Sequence, residues 1–454
     1  MTKRLAGTFG AFASAILLAG VATAAPTFTG LGDLPGGQPF SRASDISGNG
    51  LVVVGYSGAI EGTKPFRWTA QTGIVTLGGA PGGIGSARDV SDDGSIVLGI
   101  QTATASAPAG PFLWSESGGF VPLNTLNGAV VQSDPYAISA DGSTVGGKAF
   151  EYPSRGASLT GWVPQTPATT PGTTFALSSD GSIAAGTYYK PGDGIEAFRW
   201  TSAGEFQDLG DLSGGRDFAE AFGISADGSV VVGYSEVVEP FGNQAFRWTA
   251  STGMVGLENP PSGSIANDVS ADGSFVVGYG VWPTTQEAVL WDGSGKMHII
   301  RELIINMGLG DAVAGWALYN ARGISADGRA ITGDGSSPDG HAEAWIAMTS
   351  SADGNGDWVV DVFDVNLVAS HWGEVGPAGD ANGDGAVNIF DINAISAGWS
   401  HAPDSAAAAV PEPSTWVLLV AGLCGLALWQ CARLRRTLHA GDLFTRDAPQ
   451  LRIP

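Results

Sequence analysis

The sequence predicts an all-β protein: a seven-bladed β-propeller closed by its own N-terminal strand. A small α domain built on two acidic loops and one C-terminal transmembrane helix are expected to follow. Three observations predict this. A Ser-x-Asp-Gly turn fragment, Ser-x-Asn-Gly in the first copy, recurs once in each of seven units, an acid-rich segment repeats once at a fixed offset, and both termini carry apolar runs. Of 454 residues 69 are Gly and 25 Pro, and 43% are hydrophobic, which suits many short strands joined by tight turns better than a helical bundle. Lys and Arg number 21 against 44 acids, a net charge of −23 with no basic stripe outside the extreme termini, which excludes nucleic acid as a partner. Both cysteines, Cys424 and Cys431, lie in the C-terminal apolar run, so the rest of the chain has no disulfide framework and no cysteine-based metal site.

Residues 1–25 read as a secretory signal peptide: Lys3 and Arg4 precede an apolar stretch from Ala11 to Val21, closed by Ala22-Thr23-Ala24. Residues 26–350 hold the repeat. Its turns end at Gly50, Gly94, Gly142, Gly181, Gly228, Gly273 and Gly328, at spacings of 44, 48, 39, 47, 45 and 55 residues. Asp-Gly or Asn-Gly between two apolar runs is a hairpin signal, because glycine accepts a positive φ. A β-branched run follows each turn, as in Val230-Val231-Val232-Gly233, and then a tryptophan: Trp68, Trp114, Trp162, Trp200, Trp248, Trp291 and Trp345. A fourth short run closes most units, and four strands is the count of a propeller blade. The indoles are expected to fill the spaces between blades. Arg67, Arg199 and Arg247 are expected in ion pairs on blade surfaces. Phe28 to Leu34 matches the fourth-strand segment Phe206 to Leu212, and the seventh unit stops after its third strand. Residues 27–32 should therefore pair with the strand around Trp345 and close the ring, removing an open edge. These fragments resemble the HAF repeat of bacterial extracellular proteins, which implies secretion and a propeller-like repeat but no chemistry.

In residues 351–402 the composition changes. Between Asp353 and Trp399 stand seven Asp and one Glu with no Lys or Arg. Asp353, Asn355, Asp357, the Val359 carbonyl, Asp361 and Asp364 occupy positions 1, 3, 5, 7, 9 and 12 of a loop. Asp380, Asn382, Asp384, the Ala386 carbonyl, Asn388 and Asp391 repeat the set 27 residues later. Oxygen-only ligation at EF-hand spacing suits a hard cation, and calcium is the expected one. Helices are expected over Phe363–Ser370 and Phe390–Ala397. This EF-hand-like pair looks like a type I dockerin, a resemblance that implies a cohesin-like protein partner. Trp358 stands at position 6, where the second loop has Gly385, so weaker binding is expected at the first loop.

A linker, residues 403–415, carries Pro411, Glu412 and Pro413. Residues 416–432 form an apolar run of about 25 Å if helical, enough for a short membrane span, and 433–454 form a basic cluster and tail. The Pro-Glu-Pro motif, span and arginines together look like a PEP-CTERM sorting signal, which implies an exosortase-type processing protease. The chain is thus expected to be exported, held in the membrane before processing, then released to the cell surface or extracellular matrix. No nucleophile, zinc or triad motif surrounds the propeller's two histidines, His298 and His341, so no catalytic residue is expected and the propeller reads as a binding or scaffold module. The alternative is a secreted glycoside hydrolase or lyase acting on extracellular polysaccharide.

Overall fold

The computed structural model describes residues 25–398 apart from 79–82, 103–109, 124, 127–128, 131–132, 150–161, 164–171, 191, 193, 238–241, 351–352, 354–357, 361, 375–378 and 382–385. The segment expected to be a signal peptide, apart from residue 25, the Pro-Glu-Pro motif and the expected span over 416–432 lie outside these. Among the described residues no helix is long and apolar enough to cross a membrane.

Six four-stranded antiparallel sheets form the blades of a β-propeller. Blade A begins at Gly36–Ile46, B at Gly85–Val90, C at Gly172–Leu177, D at Ala219–Ile224, E at Ser264–Val269 and F at Ala317–Ile324. The fourth strand of F is Thr27–Gly30, which pairs antiparallel with Ala342–Met348, Gly30 opposite Trp345. The N-terminal strand thus supplies the edge that the last unit lacks. Between B and C lies a three-stranded sheet, Ser133–Ile138, Val145–Ala149 and Trp162–Val163, whose third strand runs parallel. Among the described residues four-stranded blades therefore number six where the sequence predicts seven. In sequence, Pro164, Pro167 and Pro171 follow the third strand of the three-stranded unit, where a fourth strand would need ladder donors that proline lacks.

The turns are self-contained. In blade D the Ser225 hydroxyl donates to Asp227 Oδ1 at 2.8 Å, Ser229 N–H donates to the same oxygen at 2.9 Å, and Val230 N–H closes on Ser225 Oγ at 2.9 Å. The same set recurs at Ser91, Ser139, Ser178, Ser270 and Ser325, and with Asn49 as the acceptor at Ser47. Neighbouring turns then bond tip to tip. Asp92 N–H donates to Ala140, Ala140 to Ser179, Ser179 to Ala226, Ala226 to Ala271, Ala271 to Ala326, Ala326 to Gly48, and Asn49 to Asp92, all through backbone carbonyls at 2.9–3.1 Å. The circle closes.

The indoles of Trp68, Trp248 and Trp291 pack against the preceding blade. Trp68 of A shares a cluster with Ala344 and Ile346 of F, Trp248 of D with Ala185 and Ala197 of C, and Trp291 of E with Val230 and Ala245 of D. Trp345 departs from the expected register. It lies opposite Gly333, the place that Phe66 holds opposite Gly55, and Ala347 stands in the tryptophan position. The arginines also differ from expectation. Arg199 Nε donates to Gly228 O at 2.8 Å and Arg247 Nη2 to Gly273 O at 2.9 Å, so each ties its blade to the next turn rather than to a carboxylate. The long interval before Gly328 holds a short helix, α1 (Ile300–Ile304), that buries Ile300 and Ile304 against blades E and F.

Candidate functional site

The glycine in the middle of each second strand organises the propeller's centre. A Cβ at Gly55, Gly186, Gly233, Gly278 or Gly333 would collide with a carbonyl oxygen of the adjacent inner strand, that of Arg42, Thr173, Glu220, Ile265 or Asn320. Glycine admits that close approach, and each inner strand carries a bulge two residues further on. The bulge turns one side chain per unit toward the axis: Ser44, Arg88, Tyr136, Phe175, Phe222, Asn267 and Arg322. All seven line one central cavity of about 240 Å³. Sequence reasoning missed this site. The signal it passed over was the recurrent strand-interior glycine, together with the variable residue three places before each turn serine.

The wall is divided. Tyr136, Phe175 and Phe222, on consecutive units, form an aromatic arc with centroids 4.9 and 5.4 Å apart in edge-to-face contact. The same cavity is lined by Asp45, Asp89, Asp92 and Asp268. Asp89 accepts Val90 N–H and, from the neighbouring sheet, Ile138 N–H, both at 2.6 Å. Asp268 likewise accepts Val269 N–H at 2.7 Å and Ile324 N–H of blade F at 2.9 Å. Both carboxylates therefore staple adjacent units. Burial pushes the Asp45 carboxyl well above the usual carboxylate range, and the charge of Asp89, its hydrogen-bonding neighbour, pushes the same way. Burial raises Asp89, opposed by the hydrogen bonds it accepts, and raises Asp268 to about 7 against its two backbone donors. Arg322 Nε is engaged by Asp334 at 2.7 Å, whereas Arg88 lies over the Tyr136 ring at 5.6 Å.

These shifts fix a pH dependence. A carboxyl with a raised folded pKa stabilises the protonated fold, so that stability is fully present below about 4 and is lost as pH rises. For Asp268 the loss runs up to about 7. Glu196, raised to about 7 by burial and by Asp208, acts in the same direction. The turn aspartates act oppositely. Hydrogen bonds from Ser143 and Ser139 hold Asp141 below the usual range, and Ser229 and Ser225 do so for Asp227, contributions lost only as pH falls below about 4. Maximal thermal stability is therefore expected near pH 4–5 (roughly, from these windows), declining toward neutrality. Calorimetry across pH should show Asp268→Asn flattening that decline. An unchanged slope would remove Asp268 from the account.

The paired acidic loops form a second candidate centre, and seven of the twelve expected ligands fall on described residues. Asn355, Asp357, Asp361, Asn382 and Asp384 lie outside them. Helices α2 (Val362–Ser370) and α3 (Ile389–Gly398) each place an acid, Asp364 and Asp391, in the first turn, where position 12 belongs. Asp353, Asp364 and Asp391 are fully buried, Asp380 is half-buried, and the exposed Ala386 carbonyl accepts Asn388 Nδ2 at 2.6 Å. Asn388 Oδ1 takes Phe390 N–H at 2.9 Å, capping α3. Val359 precedes the buried Val360, which shares one apolar cluster with Val387, Val365 and Ile395. Trp358 adopts φ 67°, the left-handed conformation that a calcium loop requires at its sixth residue. Its N–H donates to Asp353 Oδ2 at 2.9 Å, closing the sixth residue onto the first. The indole is buried. Among the described residues no three His, Cys, Asp or Glu side chains converge as metal ligands.

No protein-family model matches the chain, and no curated protein matches it. Among solved structures it is similar to TolB from Acinetobacter baumannii, at 13% identity over 57% of this chain and 61% of that one with a TM-score of 0.34. It is also similar to the β-propeller domain of the Trilobed protease from Pyrococcus furiosus, at 10% identity over 68% and 94% with a TM-score of 0.44. A third is an oligogalacturonate lyase in complex with manganese, at 13% identity over 72% and 97% with a TM-score of 0.35. The match thus spans less than two thirds of the Acinetobacter TolB's length.

Proposed function

We propose that this chain is an exported cell-surface or matrix protein whose non-catalytic propeller serves as a binding or scaffold module. A calcium-dependent, dockerin-type module joins it to a cohesin-like partner. On this reading the propeller has seven blades, the three-stranded sheet between B and C being the core of the seventh. Support comes from the circle of backbone bonds, which takes in the turn of that sheet at Ala140 on the same terms as the other six. Pro411, Glu412 and Pro413 are the sorting motif for an exosortase-type protease, and the span behind them is the temporary membrane anchor.

The observation that carries the calcium reading is the Trp358 turn. A tryptophan held at positive φ, its amide closed onto the first acid of the loop, is a costly arrangement that matches an EF-hand-type loop. The residues fit the cation: three buried carboxylates occupy positions 1 and 12 in a segment, 353–399, that contributes no Lys or Arg. When bound, calcium would supply the compensating charge and hold each helix start against its loop. Titrating the purified chain with Ca²⁺ by calorimetry should give saturable heat with a dissociation constant of roughly millimolar or tighter, and Asp364→Ala with Asp391→Ala should abolish it. Absence of heat in the parent chain would overturn the reading.

One observation favours the enzymatic alternative: the neighbouring carboxyls of Asp45 and Asp89 in the channel, a pairing that polysaccharide cleavage employs. Both Asp89 oxygens are committed to backbone donors, which favours the structural role. Release of new reducing ends or unsaturated products, abolished by Asp45→Asn, would reverse that preference.

A further inference from the structure

We propose that the central channel is a saccharide-binding site, in which Tyr136, Phe175 and Phe222 stack on a sugar ring while Ser44 and Arg88 address its hydroxyls. This deepens the binding-module reading and rests on it for the propeller alone, not for the calcium module. The argument begins with the bulges. A propeller needs no bulge to pack its blades, yet every inner strand carries one, and each places a further side chain on the axis. Were the centre merely filled, small or uniformly apolar residues would suffice. Instead the seven positions divide into three adjacent aromatics and four polar residues.

That division selects the ligand's chemistry. The three rings are partly exposed to the cavity and present apolar surface in one continuous arc. A ligand meeting them must offer an apolar face. The rest of the lining mixes donors and acceptors within one small space: Ser44, two guanidinium groups, Asn267 and four carboxyl groups. A simple anion would meet the carboxyls, and the nearest second cation, Arg322, is already engaged by Asp334 at 2.7 Å. A simple cation would meet Arg88, which makes no ion pair among the described residues and lies over Tyr136 at 5.6 Å. A sugar satisfies both parts of the lining, because its C–H face suits the rings and its hydroxyls both donate and accept. A cavity of about 240 Å³ is below the roughly 300–1,000 Å³ of pockets for drug-sized ligands. The occupant is then one or two sugar units, such as a chain end, not the middle of a polymer.

The test is calorimetric titration of the purified chain, in chelator to silence the acidic loops, with cellobiose, xylobiose and digalacturonate as probes and spermidine and inorganic phosphate as controls. At least one disaccharide should bind saturably below roughly 10 mM. Phe175→Ala and Phe222→Ala should each weaken it about tenfold, with thermal stability recorded for every variant. Should either truncation fail to fold, Ser44→Trp, which places an indole in the cavity, should block binding instead. No disaccharide binding at that concentration overturns the proposal. So does binding that survives both Phe truncations or Ser44→Trp within about twofold, and so does tighter binding of spermidine or phosphate. Because calcium is absent from this titration, its failure leaves the calcium reading standing, and failure of the calcium titration leaves this one intact.

Discussion

Replacing Trp358 by alanine is expected to destabilise the propeller by about 3–5 kcal/mol, although residue 358 belongs to the first acidic loop. The side chain is fully buried and shares a cluster with Phe275 and Leu290 of blade E and with Ile331 and Trp345 of blade F. Its Nε1–H donates to Gly328 O at 2.9 Å. In the repeat, that turn carbonyl is the one that takes an arginine from the preceding blade, as Gly228 does from Arg199 and Gly273 from Arg247. Blade E has Leu290 where the arginine would stand, so the acidic loop supplies the missing donor. A second tie runs the other way, from Arg329 Nη2 to Asp353 O at 2.8 Å. Glycine and alanine at position 358 should differ. Both lose the indole, but alanine retains the left-handed penalty that glycine escapes, so Trp358→Gly should be the more stable by about 1 kcal/mol. Trp358→Phe isolates the lost hydrogen bond. Equilibrium urea unfolding of the three variants measures all of this, and an unchanged midpoint for Trp358→Ala would remove the indole from the propeller's core. With calcium in the first loop, as proposed, added calcium should raise the midpoint of the parent chain and lose that effect on the propeller in Trp358→Gly.

The parts of this fold that can be read along the chain are those whose forces are local. Each Ser-x-Asp-Gly turn satisfies its own backbone, as Ser225, Asp227 and Val230 do, so its sequence carries its structure. The start of α3 is legible for the same reason, Asn388 capping its own helix. Register was not legible. Trp345 sits two residues from the expected place, and a shift of two leaves the same face of a strand exposed, so alternation cannot detect it. The roles of Arg199 and Arg247 depend on a carbonyl in the next turn, and only ring closure brings those together. The parallel strand Trp162–Val163 requires a crossover that no turn motif announces. The channel was hidden differently. Its side chains vary from unit to unit, and what repeats is the glycine that makes room for the bulge, a residue easily read as turn or strand filler. Asp45, Asp89 and Asp268 recur at one position of the repeat, in three units, and their meeting at the axis follows only from the circle.

Deleting Thr27–Gly30 is expected to cost about 5–6 kcal/mol, counting roughly 1 kcal/mol for each of a few ladder hydrogen bonds and about 2 for the half-buried Phe28 side chain. That is a large share of the roughly 5–15 kcal/mol by which a folded domain is stable. Phe28 packs edge-on against Trp316 at 5.3 Å and lies 6.3 Å from Trp345. Just beyond the strand, Leu31 N–H donates to Ala344 O at 2.8 Å, and Leu31 and Leu34 join the cluster around Trp68. The deletion would therefore unseat the contact between blades A and F as well as the strand itself. It would also leave Ala342–Met348 as a bare edge bearing Trp345, Ile346 and Met348, an apolar template for pairing with another chain. Two readouts should move together: the urea midpoint should fall, and sedimentation should show self-association rising with concentration. Phe28→Ala separates them, since it removes the packing while leaving the ladder covered; it should lower the midpoint by about half as much and leave the chain monomeric. A deleted chain that stays monomeric with an unaltered midpoint would mean that the circle of turn-to-turn bonds alone holds the ring shut, and that the N-terminal strand merely decorates its last blade.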